Sequence, residues 1–122
     1  MDFHGAGTVV TGASGGIGEA LARRFHLLGA SVVVSDVVEA GITNLAAELN
    51  AKRPNSVLAV TADVSTENGN KQLVATARQF LSQNGSNGID LFFANAGVGN
   101  GTLIETTSES DWNLAFNVNV HA

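Results

Sequence analysis

The stretch Thr11-Gly12-Ala13-Ser14-Gly15-Gly16-Ile17-Gly18 follows an apolar run at Val9 and Val10 and precedes a helical pattern. Glycines at such a junction permit a tight turn and let a diphosphate come close to the backbone, and the helix behind them aims unpaired N–H groups at the anion. Gly12, Ser14, Gly15, Gly16, Ile17 and Gly18 thus form a candidate cradle for the phosphates of a dinucleotide; the alternative is a tight strand-to-helix connection that binds nothing. Asp36 closes the next apolar run, near the roughly 20-residue offset at which an acidic side chain reaches the adenine ribose hydroxyls. A strand-end aspartate in solvent is the plainer alternative, but beside the glycine turn the ribose reading is favoured.

The charge on Asp36 separates the two nicotinamide dinucleotides. A carboxylate about 4 Å from a 2′-phosphate repels it by roughly 1 to 4 kcal/mol per unit charge, enough to shift preference tenfold or more. Val37 stands where a basic residue could clamp that phosphate, and Ser14, Gly15 and Gly16 supply no cation either. NAD is therefore expected over NADP. No metal is expected, because there is no cysteine and His4, His26 and His121 are widely separated in sequence.

These residues need a scaffold that brings strand ends together, and the apolar pattern supplies one. Thr8 to Thr11 reads as a first strand; the helix after the glycines carries Ile17, Leu21, Phe25 and Leu28 as one stripe and closes at Gly29. Ser31 to Ser35, nearly all valine, reads as a strand covered on both faces and ending at Asp36. A helix with Ile42, Leu45, Ala46 and Leu49, a turn at Arg53-Pro54-Asn55-Ser56 and a strand from Val57 to Thr61 follow. Asp63-Val64-Ser65 leads into a helix from about Glu67 with Leu73, Ala77, Phe80 and Leu81 on one side, ended by the stretch Asn84 to Gly88. Leu91 to Ala94 is the fourth strand. Ser108 and Asp111 open a last helix, whose pattern reaches Ala122 without a stop signal. Strict alternation implies an α/β fold, a doubly wound parallel sheet with right-handed crossovers.

Composition bounds the rest. The 122 residues fit one domain, and six Lys and Arg against eleven Asp and Glu, with no basic cluster, argue against nucleic acid as a partner. The absence of cysteine suits a reducing compartment, and no run approaches the roughly 20 apolar residues of a membrane span, so a cytoplasmic location without membrane contact is expected.

Thr11-Gly12-x-x-x-Gly16-Ile17-Gly18 resembles the nucleotide motif of the short-chain dehydrogenases/reductases, and further residues match in register. Asp63-Val64 is similar to that family's adenine contact, although a turn ahead of a Ser65 cap also explains Asp63. Asn95-Ala96-Gly97 resembles its Asn-Asn-Ala-Gly motif, with Ala94 replacing the first asparagine. Trp112, Ala115, Phe116 and Asn119 share a helical stripe; Asn119 reads either as a hydrogen-bonded core amide or, by resemblance, as the family's catalytic asparagine. Leu114 and Val118 form a second strip, which the resemblance turns toward a partner subunit.

The resemblance implies a Rossmann-like sheet with strand order 3-2-1-4, incomplete here, in which residues 1–122 are the N-terminal part of one NAD(P)-binding domain interrupted in the fourth helix. It also implies hydride transfer between nicotinamide and a small alcohol or carbonyl substrate, in an enzyme that is a homo-oligomer when complete. The family's acid/base tyrosine has no counterpart, since the chain contains no tyrosine, and Lys52 and Lys71 lie in segments unlike that of its lysine. The chain alone is therefore expected to be inactive. A short module that binds NAD or a partner without chemistry is the alternative.

Overall fold

The computed structural model describes all residues, Met1 to Ala122. Four strands, β1 (Gly7–Thr11), β2 (Ser31–Asp36), β3 (Val57–Thr61) and β4 (Leu91–Phe93), alternate with helices α1 (Gly16–Leu27), α2 (Glu39–Lys52), α3 (Glu67–Gln83) and α4 (Glu109–Asn119); a short 3-10 turn at Ile104–Thr106 precedes α4. The sheet is parallel in the order β3-β2-β1-β4, as the resemblance implied. Val9 pairs with Val33 and Phe92, and Val33 with Leu58, so the strands end in register at one edge.

Side chains two apart on a strand share a face, and the valines of β2 divide accordingly. Val32 and Val34 pack with Val10, Ala22, Ile42, Leu45 and Leu49 under α1 and α2. Val33 packs with Val9, Val60, Leu73, Ala77 and Leu81 under α3. Both faces of β2 are thereby dry, which explains why its sequence lacks alternation.

α1 differs from its expected stripe. The residues it buries are Gly18, Ala22 and His26, while Ile17 is 73% exposed and Leu21 and Phe25 only flank the core. The reason is distance: a helix lying this close to the sheet has room for small side chains at the contact and moves its larger ones to the margin. Its end is as expected, with Gly29 N–H donating to the His26 carbonyl (3.1 Å) and Ala30 N–H to that of Phe25 (3.0 Å), the paired bonds of a Schellman motif.

The α2 and α3 stripes are buried as read, apart from Phe80, which is partly covered. Thr66, not Ser65, caps α3 by accepting from Gly69 N–H at 3.0 Å. α4 buries none of its residues: Trp112 is 50% and Phe116 41% exposed, stacked on each other with ring centroids 5.0 Å apart. The expected burial of that stripe fails, because periodicity marks a face as apolar without supplying anything to cover it. The pattern read through to Ala122 is helical as far as Asn119, after which Val120 and His121 N–H groups both donate to the Phe116 carbonyl. No helix is long and apolar enough to cross a membrane.

Candidate functional site

The first residues beyond the strands' C-terminal ends converge on one cleft of about 320 Å³. Gly12 lines it from β1, Ser35, Asp36 and Val37 from β2, Ala62, Asp63, Val64 and Ser65 from β3, and Ala96, Gly97 and Val98 from β4. Parallel open sheets take ligands at this edge, beside the point where strand order reverses, here between β1 and β4. A cavity of about 490 Å³ at the opposite end is lined by Met1–Ala6 and by the loop before β4, far from every motif residue.

The glycine turn has the shape a diphosphate requires. Gly12 adopts φ 65°, and a β-carbon there would stand 2.9 Å from the Ala96 Cα; one on Gly18 would overlap the Gly12 carbonyl oxygen. These two glycines let β1, α1 and the β4 loop meet. Around Gly15 and Gly16, by contrast, there is open space, and Gly15 caps α1 with no side chain on the first-turn amides. Those N–H groups stay available to an anion. The residues present therefore fit a dinucleotide.

Asp36 leaves β2 as a strongly held group. Its Oδ2 accepts from Ser14 N–H (3.1 Å) and from the Ser14 hydroxyl (2.7 Å), and its Oδ1 from Val38 N–H (3.0 Å). Burial pushes this carboxyl up, but the Ser14 hydroxyl and the backbone N–H groups of Val38, Ser14 and Val37 together outweigh it, so the group lies below the ordinary carboxylate range. It is a fixed anion at neutral pH. Val37 is exposed beside it, with no cation in the adjoining cleft wall.

Asp63 forms the turn considered for it and stands in the cleft wall. Its Oδ1 accepts from the Ser65 N–H (3.0 Å) and hydroxyl (2.6 Å), an Asx turn, while the residue also lines the cleft with Val64. Asn95 faces the other way: its side-chain amide donates to the Thr11 (3.1 Å) and Gly12 (3.4 Å) carbonyls, which ties the glycine turn to β4. The Thr11 hydroxyl completes that tie by accepting from the N–H groups of Asn95 and Ala96, both at 3.1 Å. Sequence reading placed Thr11 in the motif but gave its hydroxyl no role.

Asn119 is exposed, so the reading of it as a core amide is corrected. Its Oδ1 accepts from Val98 N–H at 2.8 Å and its Nδ2 donates to the Val98 carbonyl at 2.9 Å, clasping the segment after Gly97 to α4. Leu114 and Val118, expected to face another subunit, line the cleft together with Val64. Their spacing as an apolar strip was legible, but their place in the cleft lining was not. Ser35, Ala62 and Val98 also join the lining, and no sequence signal pointed to them.

Comparison with known proteins agrees with this geometry. The family model described as short chain dehydrogenase matches residues 7–122. The chain belongs to the short-chain dehydrogenase family. It is 33% identical over 120 residues to the meso-2,3-butanediol dehydrogenase of Serratia marcescens, covering 98% of this chain and 45% of that protein. A short-chain dehydrogenase/reductase from Burkholderia phymatum, solved in complex with NAD, superposes with a TM-score of 0.90 at 33% identity, over 98% of this chain and 41% of that one. A blue fluorescent protein from a metagenomic library, in complex with NADPH, gives a TM-score of 0.86 at 28% identity, over 99% and 48%. This short-chain dehydrogenase chain spans less than half the length of these curated relatives, from 46% down to 13%.

Proposed function

We propose that this chain is the N-terminal, cofactor-holding part of an NAD-preferring oxidoreductase that acts on a small alcohol or carbonyl compound and assembles as a homo-oligomer when complete. One observation carries the reading: Gly12 at the start of the glycine turn, a fixed Asp36 anion tied to Ser14 of that turn, Asp63-Val64 and Ala96-Gly97 meet around a single cleft at the strands' C-terminal edge. Bound NAD would supply hydride acceptance and donation at its nicotinamide.

The chain's own residues bind and orient. Amides of the turn from Gly12 to Gly18 would hold the diphosphate, Asp36 would accept from the adenosine ribose and oppose a 2′-phosphate, and Asp63 and Val64 would meet the adenine. NAD and NADPH both occur among the matched structures, so the preference rests on the charge of Asp36 and the lack of a cation at Val37. Asn119 occupies the family's catalytic asparagine place, and its grip on Val98 fixes α4 against the cleft. The acid/base tyrosine of the family is absent from these residues, so by this reading the chain holds a cofactor without turning it over.

Titration of the chain with NAD⁺, followed by backbone NMR, tests the site. Shifts centred on Gly12, Asp36, Val64 and Ala96 are expected; shifts confined to the cavity near Met1–Ala6, or none, would overturn it. The coding DNA tests the rest: an open frame beyond the Ala122 codon into a Ser and a Tyr-x-x-x-Lys is expected, and a stop there favours a non-catalytic NAD-binding or partner-binding module.

A further inference from the structure

The anion at Asp36 is built by three segments, and two of them lie outside the cleft lining. An ionised carboxylate offers about four acceptor positions. Ser14 takes both on Oδ2, with its hydroxyl at 2.7 Å and its N–H at 3.1 Å, and Val38 N–H takes one on Oδ1. Of the two oxygens, Oδ1 therefore carries the fewer close donors. Ser14 in turn rests on α2: a β-carbon at Gly41 would stand 2.7 Å from the Ser14 Cβ and 3.1 Å from its carbonyl oxygen. Glycine is a poor helix residue, and in the first turn of α2 it is what allows the phosphate turn to lie against that helix.

We propose that Ser14, seated on the bare backbone of Gly41, aims the Asp36 carboxylate so that Oδ1 alone meets a ribose hydroxyl, which makes Ser14 and Gly41 positioning residues for the choice between a free and a phosphorylated 2′ position. This rests on the reading of Asp36 as the cofactor selector. A carboxylate held on both oxygens resists swinging aside for a 2′-phosphate, and loss of the 2.7 Å bond from the Ser14 hydroxyl leaves it only the two longer bonds from the Ser14 and Val38 N–H groups. Removing the Ser14 hydroxyl therefore relaxes discrimination without removing the charge. Conversely, Asp36→Ala does more than delete a charge: it removes both Ser14 ties and leaves the turn joined to β2 through the Ala13 N–H bond to the Ser35 carbonyl, which weakens the binding of both dinucleotides.

The test uses the 122-residue chain and its Ser14→Ala, Ser14→Thr, Gly41→Ala and Asp36→Asn variants. Calorimetric Kd values for NAD⁺ and NADP⁺ are measured beside the ¹³C carboxyl titration of Asp36. Ser14→Ala and Gly41→Ala are expected to narrow the ratio of the two Kd values by about fivefold or more, the scale of one hydrogen bond to a charged group, and to raise the Asp36 midpoint. Ser14→Thr, which keeps the hydroxyl, holds both near the parent values. If Ser14→Ala leaves ratio and midpoint unchanged while Asp36→Asn collapses the ratio, the positioning role falls and the selector reading stands. A Gly41→Ala chain that behaves like the parent removes Gly41 from the arrangement. An unchanged ratio in Asp36→Asn, or no binding of either nucleotide to the parent, overturns the selector reading and this proposal with it.

Discussion

The cleft has two walls made in different ways. On the β1-β2-β3 side, Val9, Val10, Val32, Val33 and Val34 are wholly excluded from water, and helices cover both faces of the sheet. On the β4-α4 side, Phe92 at the centre of β4 is 43% exposed and α4 buries nothing. Asp36 and Asp63 stand on the first wall, held by hydrophobic packing; Ala96, Gly97, Leu114 and Val118 stand on the second, held chiefly by the polar ties of Thr11, Asn95 and Asn119. Stability within one fold is not uniform, and regions with few buried apolar contacts open at lower free energy. Asp36 and Asp63 are thus set on a rigid floor, while the wall facing them hangs on hydrogen bonds.

The largest contrast should come from truncating one apolar side chain in each region. Ile42 is fully buried between α2 and the sheet, and Ile42→Ala should destabilise the chain by about 2 to 5 kcal/mol through lost transfer energy and the cavity left behind. Phe116→Ala removes an exposed ring stacked on Trp112 and should cost less than about 1 kcal/mol. Urea unfolding of both variants checks this, and equal losses would show that α4 is packed as firmly as α2.

The next effect tests the tie between the walls. Thr11→Val keeps shape but removes the oxygen that accepts from Asn95 and Ala96 N–H, leaving two part-buried donors without that partner. A loss of about 1 to 3 kcal/mol is expected, with amide exchange quickening around Ala96 before it changes in β2. Uniform quickening would mean that the two walls open together.

The same contrast explains what could be read from the sequence. β3 was legible from Val57 to Thr61 to the residue, and α2 and α3 through their stripes, because large apolar residues at helical spacing had a sheet to meet. α1 was misread at Ile17 because the pattern weights bulk, whereas close approach to the sheet selects Gly18 and Ala22. Leu114 and Val118 were legible as a strip, but their place in the cleft lining was not, since periodicity gives a direction on a helix and no information about what lies there. At the site, Gly12, Asp36 and Asp63-Val64 could be found by type and spacing. The Thr11 hydroxyl and the contact of Ser14 with Gly41 could not, because each depends on segments distant in the chain.

A smaller, pH-dependent effect belongs to the packed side. His26 is buried at the end of α1, and since the Ser56 hydroxyl gives its proton to the Arg53 carbonyl, the His26 Nε2–H donates to Ser56 Oγ at 2.8 Å. Burial first, and then the charges of Arg53 and Lys52, hold this imidazole below its ordinary value. The unfolded chain takes up the proton near pH ~6.5 and the folded one only at lower pH, so unfolding is favoured by protons in between. Stability should be full above that point and fall as pH drops toward the folded value. His26→Gln should flatten the slope in that window, leaving the separate acid loss from Asp36 below the carboxylate range; an unchanged slope would place the imidazole in contact with water.

The least effect is expected from the ion pairs that decorate the same side. Arg23 on α1 bonds Glu48 of α2 through both terminal nitrogens, at 2.7 and 2.8 Å, and Glu19 one turn earlier at 2.7 Å. The geometry looks like a clasp between helices, yet all three groups face solvent, where ordering long side chains and screening by salt offset most of the attraction. Arg23→Ala should therefore shift the urea midpoint less than any substitution above, and the shift should shrink further at high salt. A salt-insensitive loss approaching that of Ile42→Ala would mean that α1 and α2 are joined by charge as well as by the sheet beneath them, and the rigidity of the floor would need a different account.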